Sequence, residues 1–166
     1  MRNRLGAAPL LWAFLVAASS AAKAQPPADS ATLQIRQTTF APWLKVNLAS
    51  SYQTWSGTFV RDLLPGHGSP QGLSSKVRIK FRMWLADGTP LLNPSDTASF
   101  VIGRGVLIRG LEEGVMGMRL GGLRQLVMRS VAGWGLAARP EIPANAVLVA
   151  EVSLIEVAYD AARSVR

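Results

Sequence analysis

The sequence predicts an α+β fold, in which an antiparallel sheet of about five strands is wrapped around one short helix. Two runs, 77–85 and 147–157, alternate apolar with polar residues, as half-buried antiparallel strands do. Between them, residues 111–118 have the composition of about two helical turns, and Gly121-Gly122 is expected to end the helix and turn the chain. One helix beside several antiparallel strands indicates the α+β class.

The remaining strands are predicted from shorter signals. Residues 56–64 have strand character and are closed by Pro65-Gly66, and residues 123–128 form an apolar run before the last strand. In the helix, Glu112 and Glu113 lie in the first turn, where the helix dipole favours negative charge. Adjacent helical residues point about 100° apart. We therefore interpret the two carboxylates as solvent-exposed partners of the dipole and not as an acid/base pair.

The N-terminal residues are typical of an export signal. Arg2 and Arg4 precede an apolar stretch from Leu5 to Ala22, and Ala22-Lys23-Ala24 is a small-x-small cleavage site before Gln25. The alternative is a membrane anchor, for which the apolar core is short. A cleaved signal predicts a periplasmic or secreted protein with no stable membrane anchor after cleavage.

Composition excludes several functions. The chain has no cysteine and one histidine, His67, which lies in a turn-forming context, so Cys nucleophiles and multi-histidine metal sites cannot be built. We predict neither a metal nor a cofactor. Loss of residues 1–24 leaves 15 basic against 10 acidic residues, a net charge of +5. No basic stripe with interleaved aromatics is present, so no nucleic-acid partner is expected, and Arg109 and Arg124 are interpreted as solvated strand ends.

The sequence is divided into four segments. These are a signal peptide (1–24), a leader and extension (25–54), a domain (55–158) and a C-terminal tail (159–166). Residues 31–51 have apolar positions without a clean period. Either this segment lies on the domain, with a short helix, or it is an arm that binds a partner. The protein is accordingly expected to be a monomer or a homodimer formed through the extension.

An ordered series of short motifs identifies a family. The motifs are Leu107-Ile108-Arg109-Gly110, Glu112-Glu113-Gly114-Val115, Gly117-Met118, Gly121-Gly122, Trp134-Gly135 and Ile142-Pro143-x-Asn145-Ala146-x-Leu148. Their order resembles the C-terminal half of FKBP-type peptidyl-prolyl cis-trans isomerases, and Leu85-Ala86-Asp87-Gly88 resembles that family's turn after its first core strand. The resemblance covers residues 56–157. It implies rotamase activity on proline-containing polypeptides, and hence a role in protein folding or as a chaperone in the periplasm.

The resemblance also implies a set of pocket residues. Three positions match the family's catalytic residues, and four more match its substrate-binding residues: Phe81, Ile108 and Trp134 in the first group, and Leu91, Leu107, Leu111 and Ile142 in the second. Phe81 keeps a ring without the family's tyrosine hydroxyl. The backbone N–H of Ile108 would donate to a ligand carbonyl, and the Trp134 indole could replace a second tyrosine as a donor.

Some positions depart from the family. Leu91 and Leu92 stand where it has phenylalanine and aspartate, and Ala98 and Ala150 replace two rings. Smaller side chains should widen the pocket unless the extension fills it, and they argue against macrolide binding. Two functions remain open. The first is a prolyl isomerase of the cell envelope, and the alternative is a degenerate domain that binds proteins without catalysis.

Overall fold

The computed structural model describes residues 30–91, 96–129, 142–143 and 146–158. Within these residues, two helices and six strands follow one another, with two 3₁₀ turns, 42–44 and 48–50, after the first helix. They are α1 Ser30–Gln37, β1 Tyr52–Gln53, β2 Phe59–Leu64, β3 Lys76–Leu85, β4 Thr97–Val101, α2 Arg109–Val115, β5 Leu123–Arg129 and β6 Val147–Ala158.

The strands form one antiparallel sheet in the order β1-β2-β5-β6-β3-β4. The long strands β3 and β6 pair along their whole length, from Lys76 opposite Ala158 to Leu85 opposite Leu148. This confirms the predicted α+β class, with a two-residue edge strand, β1, added to five longer strands. Strand β4 was not predicted individually because Thr97-Ala98-Ser99 carries no strong apolar alternation.

One face of the sheet packs against α2. We call the apolar residues there the inner cluster: Val60, Val77, Ile79, Met83, Phe100, Ile102, Leu111, Val115, Met118, Leu126, Met128, Ile142, Leu148, Ala150, Val152 and Leu154. Alternate residues of β3 and β6 supply much of it, because successive side chains of a strand point to opposite faces. The alternation seen in the sequence therefore indicates which face is buried.

Helix α2 lies close to the sheet because of a glycine. A Cβ at Gly114 would clash with the side chain of Leu126, which is fully buried on β5. The helix ends at Val115, three residues before the predicted end, and begins two residues earlier than predicted. Gly117 adopts a positive φ of 79°, which L side chains rarely adopt, so the helix ends before it and not at Gly121-Gly122. The chain does turn at Gly121, as predicted, with a φ of 75°.

The opposite face of the sheet is covered by the extension. A second group, the outer cluster, combines Ile35 and Leu44 of the extension with four sheet residues: Phe59, Val127, Val147 and Val149. Phe40, Ala41, Val46 and Leu48 pack against it. Of the two interpretations left open by the sequence, the structure shows an extension that lies on its own domain.

Polar contacts hold the extension in place. The Gln125 side chain donates to the Leu44 carbonyl over 2.7 Å, and Arg61 donates to the Lys45 carbonyl over 2.8 Å. The rings of Trp43 and Trp84 meet edge to face, with centroids 5.5 Å apart. Because carbonyls of the extension are satisfied by side chains of β2 and β5, the outer face is closed by specific contacts as well as by apolar burial.

In the part of the chain that the structure describes, neither helix is long or apolar enough to cross a membrane. The predicted signal peptide, residues 1–24, lies outside the described residues, as does the predicted tail, 159–166.

Candidate active site

The structure brings most of the predicted pocket residues together. Leu111 and Ile142 are buried members of the inner cluster, while Phe81, Leu91, Leu107 and Ile108 are half-buried and pack against it. Trp134 lies outside the described residues. Six residues from widely separated parts of the sequence thus belong to, or pack against, one apolar cluster.

Ile108 is the residue that precedes α2. Its carbonyl accepts the N–H groups of Leu111 and Glu112, at 2.9 and 3.1 Å, and so starts the helix. Its own N–H meets no acceptor among the described residues. The first N–H groups of a helix have no intrahelical partner. A half-buried donor beside apolar side chains could therefore receive a carbonyl from a bound polypeptide.

Glu112 fixes the loop that leads to Ile108. Its carboxylate accepts three backbone N–H groups, from Gly103 at 3.1 Å, Gly105 at 3.2 Å and Leu107 at 3.0 Å. Its exposure is only 7%. The prediction that Glu112 is solvent-exposed was therefore wrong: a charged acceptor inside the loop satisfies donors that would otherwise need water.

Glu113 makes a different set of contacts. It accepts the Ser56 N–H at 2.9 Å and the Arg109 side chain at 2.7 Å. Burial on its own raises the pKa of Glu113, but hydrogen bonds from Thr54, Arg109 and Ser56 outweigh it and lower that pKa to about 2. Glu113 is thus an ionised link between α2 and the β1–β2 turn, and it was also wrongly predicted to be solvent-exposed.

Arg124 was wrongly predicted to be a solvated strand end. Its exposure is 5%, and it donates to Asp62 at 2.6 Å and to the carbonyls of Gly114 and Met116, both at 2.8 Å. A cation is favourable at a helix C-terminus, where carbonyls lack partners. Arg124 therefore caps α2. Arg109, by contrast, has an exposed side chain, as predicted, but it is the first residue of α2 and not a strand end.

The two positions where alanine replaces a ring differ in burial. Ala150 is fully buried opposite Met83, while Ala98 is half-buried on β4 and packs against the inner cluster. Described residues of the extension belong to the outer cluster, on the other side of the sheet. The part of the extension that the structure describes thus does not fill the space left by the small residues.

Sequence reasoning missed the role of Glu112 because an acid in a first helical turn is already explained by the dipole. The neighbouring signal was Gly103-Arg104-Gly105, a loop with exposed backbone donors just before the helix. His67 is exposed in its loop, as predicted. No group of three potential metal ligands occurs among the described residues.

This geometry defines a class of protein: an antiparallel sheet wrapped around a short helix, with half-buried apolar side chains packed against the core between them, is the framework of FKBP-like prolyl isomerases. Comparison with known proteins gives the family. Residues 69–155 match the model of the FKBP-type peptidyl-prolyl cis-trans isomerases, so the chain belongs to that family. It is accordingly a peptidyl-prolyl cis-trans isomerase, an enzyme class that binds proline-containing peptides.

Individual relatives agree. The FK506-binding protein of Neisseria meningitidis serogroup B is 32% identical over 105 residues, 61% of this chain and 96% of that protein. FkpA from Escherichia coli is 26% identical with a TM-score of 0.58, over 70% of this chain and 54% of FkpA. An isomerase from Pseudomonas syringae pv. tomato shares the fold, with a TM-score of 0.61 at 22% identity over 82% of this chain and 99% of that one.

Proposed function

We propose that this enzyme isomerises X-Pro bonds of exported proteins by seating the proline in the recess at the start of α2. The pocket consists of the residues predicted to be catalytic or substrate-binding: Phe81, Leu91, Leu107, Ile108, Leu111, Trp134 and Ile142. The observation that carries the proposal is that the six described members share one apolar cluster beside an N–H donor. Trp134 is included from the resemblance alone.

The chemistry needs no covalent step. Rotation about the bond is slow because it breaks amide resonance, with a barrier of about 18–20 kcal/mol. In a dry apolar recess the planar amide, which is more dipolar, is stabilised less than in water, so the twisted form becomes relatively easier to reach. Leu111 and Ile142 supply apolar walls, and the Ile108 N–H holds a substrate carbonyl while the bond rotates.

Glu112 contributes by positioning. Its three hydrogen bonds hold residues 103–107, and Ile108 follows directly. A loop held in one conformation presents the Ile108 N–H without an ordering cost on binding. We therefore assign Glu112 as a positioning residue that does not itself touch the substrate.

Export is proposed from the sequence pattern of residues 1–24. A cut before Gln25 is compatible with the fold, because the residues of the outer cluster begin at Ile35 and all remain in the mature chain. Expression in a Gram-negative host followed by N-terminal sequencing of the periplasmic fraction should give Gln25 as the first residue. An intact Met1 in the cytoplasm would refute export.

The activity is tested with purified residues 25–166, using proline-limited refolding of a model protein and a short X-Pro peptide. We expect micromolar enzyme to accelerate both, and Trp134→Ala and Ile142→Ala to lower kcat/KM about tenfold. Leu64→Ala is the matched control, because Leu64 is an exposed apolar residue on β2. Rates equal to buffer would instead support the alternative, a domain that binds proteins without catalysis.

A further inference from the structure

Trp55 is the most exposed large apolar residue in the part of the chain that the structure describes. It lies in the turn between β1 and β2, and its exposure is 97%. A single exposed apolar side chain is ordinary on a protein surface. The case for a function therefore depends on how the turn is built and on where it lies.

The turn is held by several hydrogen bonds within residues 54–58. Thr54 donates its N–H to the Thr58 carbonyl at 2.9 Å, and Gly57 donates to the Thr54 carbonyl at 3.0 Å. The hydroxyl of Ser56 lies 3.2 Å from that of Thr54 and 3.1 Å from that of Thr58. Because its backbone is fixed on both sides of Trp55, the indole is presented from a rigid base.

The same turn is attached to the start of α2. The Ser56 N–H donates to one oxygen of Glu113 at 2.9 Å, and Arg109 donates to the other at 2.7 Å. Arg109 directly follows Ile108, the proposed substrate donor. Trp55 is thus connected to the proposed pocket through two short, charge-assisted contacts.

The sheet register gives a second, independent placement. Phe59, at the start of β2, lies opposite Val127, so the β1–β2 turn is at the end of the sheet where β5 finishes at Arg129. Together with the Glu113 contact, this register places the Trp55 turn near the start of α2, while Leu64 is at the other end of β2.

We propose that Trp55 is a second contact for an unfolded polypeptide whose proline occupies the recess. This inference rests on the proposed function. The bound chain crosses the side chain of Arg109, 70% exposed, and places an apolar residue on the indole. Tryptophan suits this role because it offers a large rigid surface at low entropic cost.

The surroundings of Trp55 favour this occupant. Thr54, Ser56 and Glu113, which form or contact the turn, are polar and half-buried, so the turn itself offers no broad apolar patch. A stable contact with a second copy would need a broad apolar patch, and a lipid surface would need several adjacent apolar and basic residues. A narrow extended chain requires only an isolated anchor beside the pocket.

The test compares Trp55→Ala with Leu64→Ala on two substrates, a short X-Pro peptide that fills only the recess and an unfolded protein in proline-limited refolding. We expect Trp55→Ala to raise KM for the protein substrate five- to tenfold, with kcat unchanged. Its kcat/KM for the short peptide should stay within twofold of wild type. Leu64→Ala should match wild type on both.

Other outcomes overturn the proposal. An unchanged KM for the protein substrate removes Trp55 from binding, and an equal loss on both substrates makes the turn part of the pocket instead. A shift from dimer to monomer in Trp55→Ala by analytical ultracentrifugation, or loss of sedimentation with phosphatidylglycerol vesicles, would assign Trp55 to self-association or to lipid.

Failure of the isomerase proposal can be distinguished from failure of the proposed Trp55 contact. If wild type accelerates neither substrate, the isomerase proposal falls. The Trp55 contact is then judged by binding of reduced, carboxymethylated α-lactalbumin, a permanently unfolded chain. Trp55→Ala must weaken that binding at least fivefold, and unchanged binding refutes the contact.

Discussion

Both faces of the sheet carry an apolar cluster, but the two clusters are covered differently. On the outer face, the extension covers Phe59, Val127 and Val149, and its carbonyls are bonded to side chains of the sheet. On the inner face, Phe81, Leu107 and Ile108 are half-buried at the margin of the inner cluster. The comparison teaches that the extension completes the core on one side, while the half-buried side chains on the other side are those of the proposed proline site.

The largest expected effect is a loss of stability when the covered outer face is disrupted. Ile35→Ala should destabilise the protein by about 2–5 kcal/mol, because Ile35 is 1% exposed and its loss leaves a cavity in the outer cluster. Leu33→Ala, in the same helix at 48% exposure, should cost under about 1 kcal/mol. Urea unfolding followed by far-UV circular dichroism measures both. Equal small effects would show that the extension is only loosely attached.

That substitution also tests whether the two faces are independent. Below the unfolding transition, Ile35→Ala should keep the kcat/KM of wild type for a short X-Pro peptide, because Ile35 contributes to the outer cluster only. A tenfold loss in folded protein would mean that the extension shapes the pocket through the sheet.

A smaller effect is expected at the entrance to the recess. Glu112→Ala removes the acceptor for three backbone N–H groups and should cost about 2 kcal/mol. It should also lower kcat/KM for a short peptide at least fivefold, because the loop before Ile108 loses its support. Glu112→Gln keeps one acceptor oxygen and should recover part of that activity. Full activity in Glu112→Ala would contradict the positioning role.

The smallest effect concerns pH. The folded-state pKa of Glu113, about 2, lies below its ordinary value of 4.5, so its contribution is complete above pH 4.5 and is lost as pH falls through 2. Glu113→Gln should therefore be less stable than wild type by about 1 kcal/mol at pH 7, with the difference shrinking between pH 4.5 and 2. Chemical unfolding across this range measures it. A constant difference would show that the charge is not responsible.

Much of the fold was predictable because it depends on local pattern. Alternation in residues 77–85 and 147–157 predicted β3 and β6 within one residue at each end. The predicted helix boundaries differ from the observed ones because those boundaries depend on tertiary contacts, such as the packing of Gly114 on Leu126, and on the positive φ of Gly117. Neither is expressed in apolar periodicity.

The candidate site was predictable only in part. The family resemblance selected Phe81, Ile108 and Ile142, and the structure puts these residues in one cluster. The hydrogen bonds of Glu112 and Arg124 could not be predicted, because each joins its side chain to backbone groups whose positions depend on the folded loop or helix end. From sequence alone, a charged residue is expected to be exposed to solvent. A buried position can be predicted for it only when its hydrogen-bond partners are known.

The most direct test of the central claim is an NMR titration of residues 25–166 with a short X-Pro peptide, following backbone amides on both faces. We predict that the Leu107 and Ile108 amides shift progressively and that those of Ile35 and Leu44 do not. Shifts confined to Ile35 and Leu44, or none at millimolar peptide, would contradict an open proline site on the inner face.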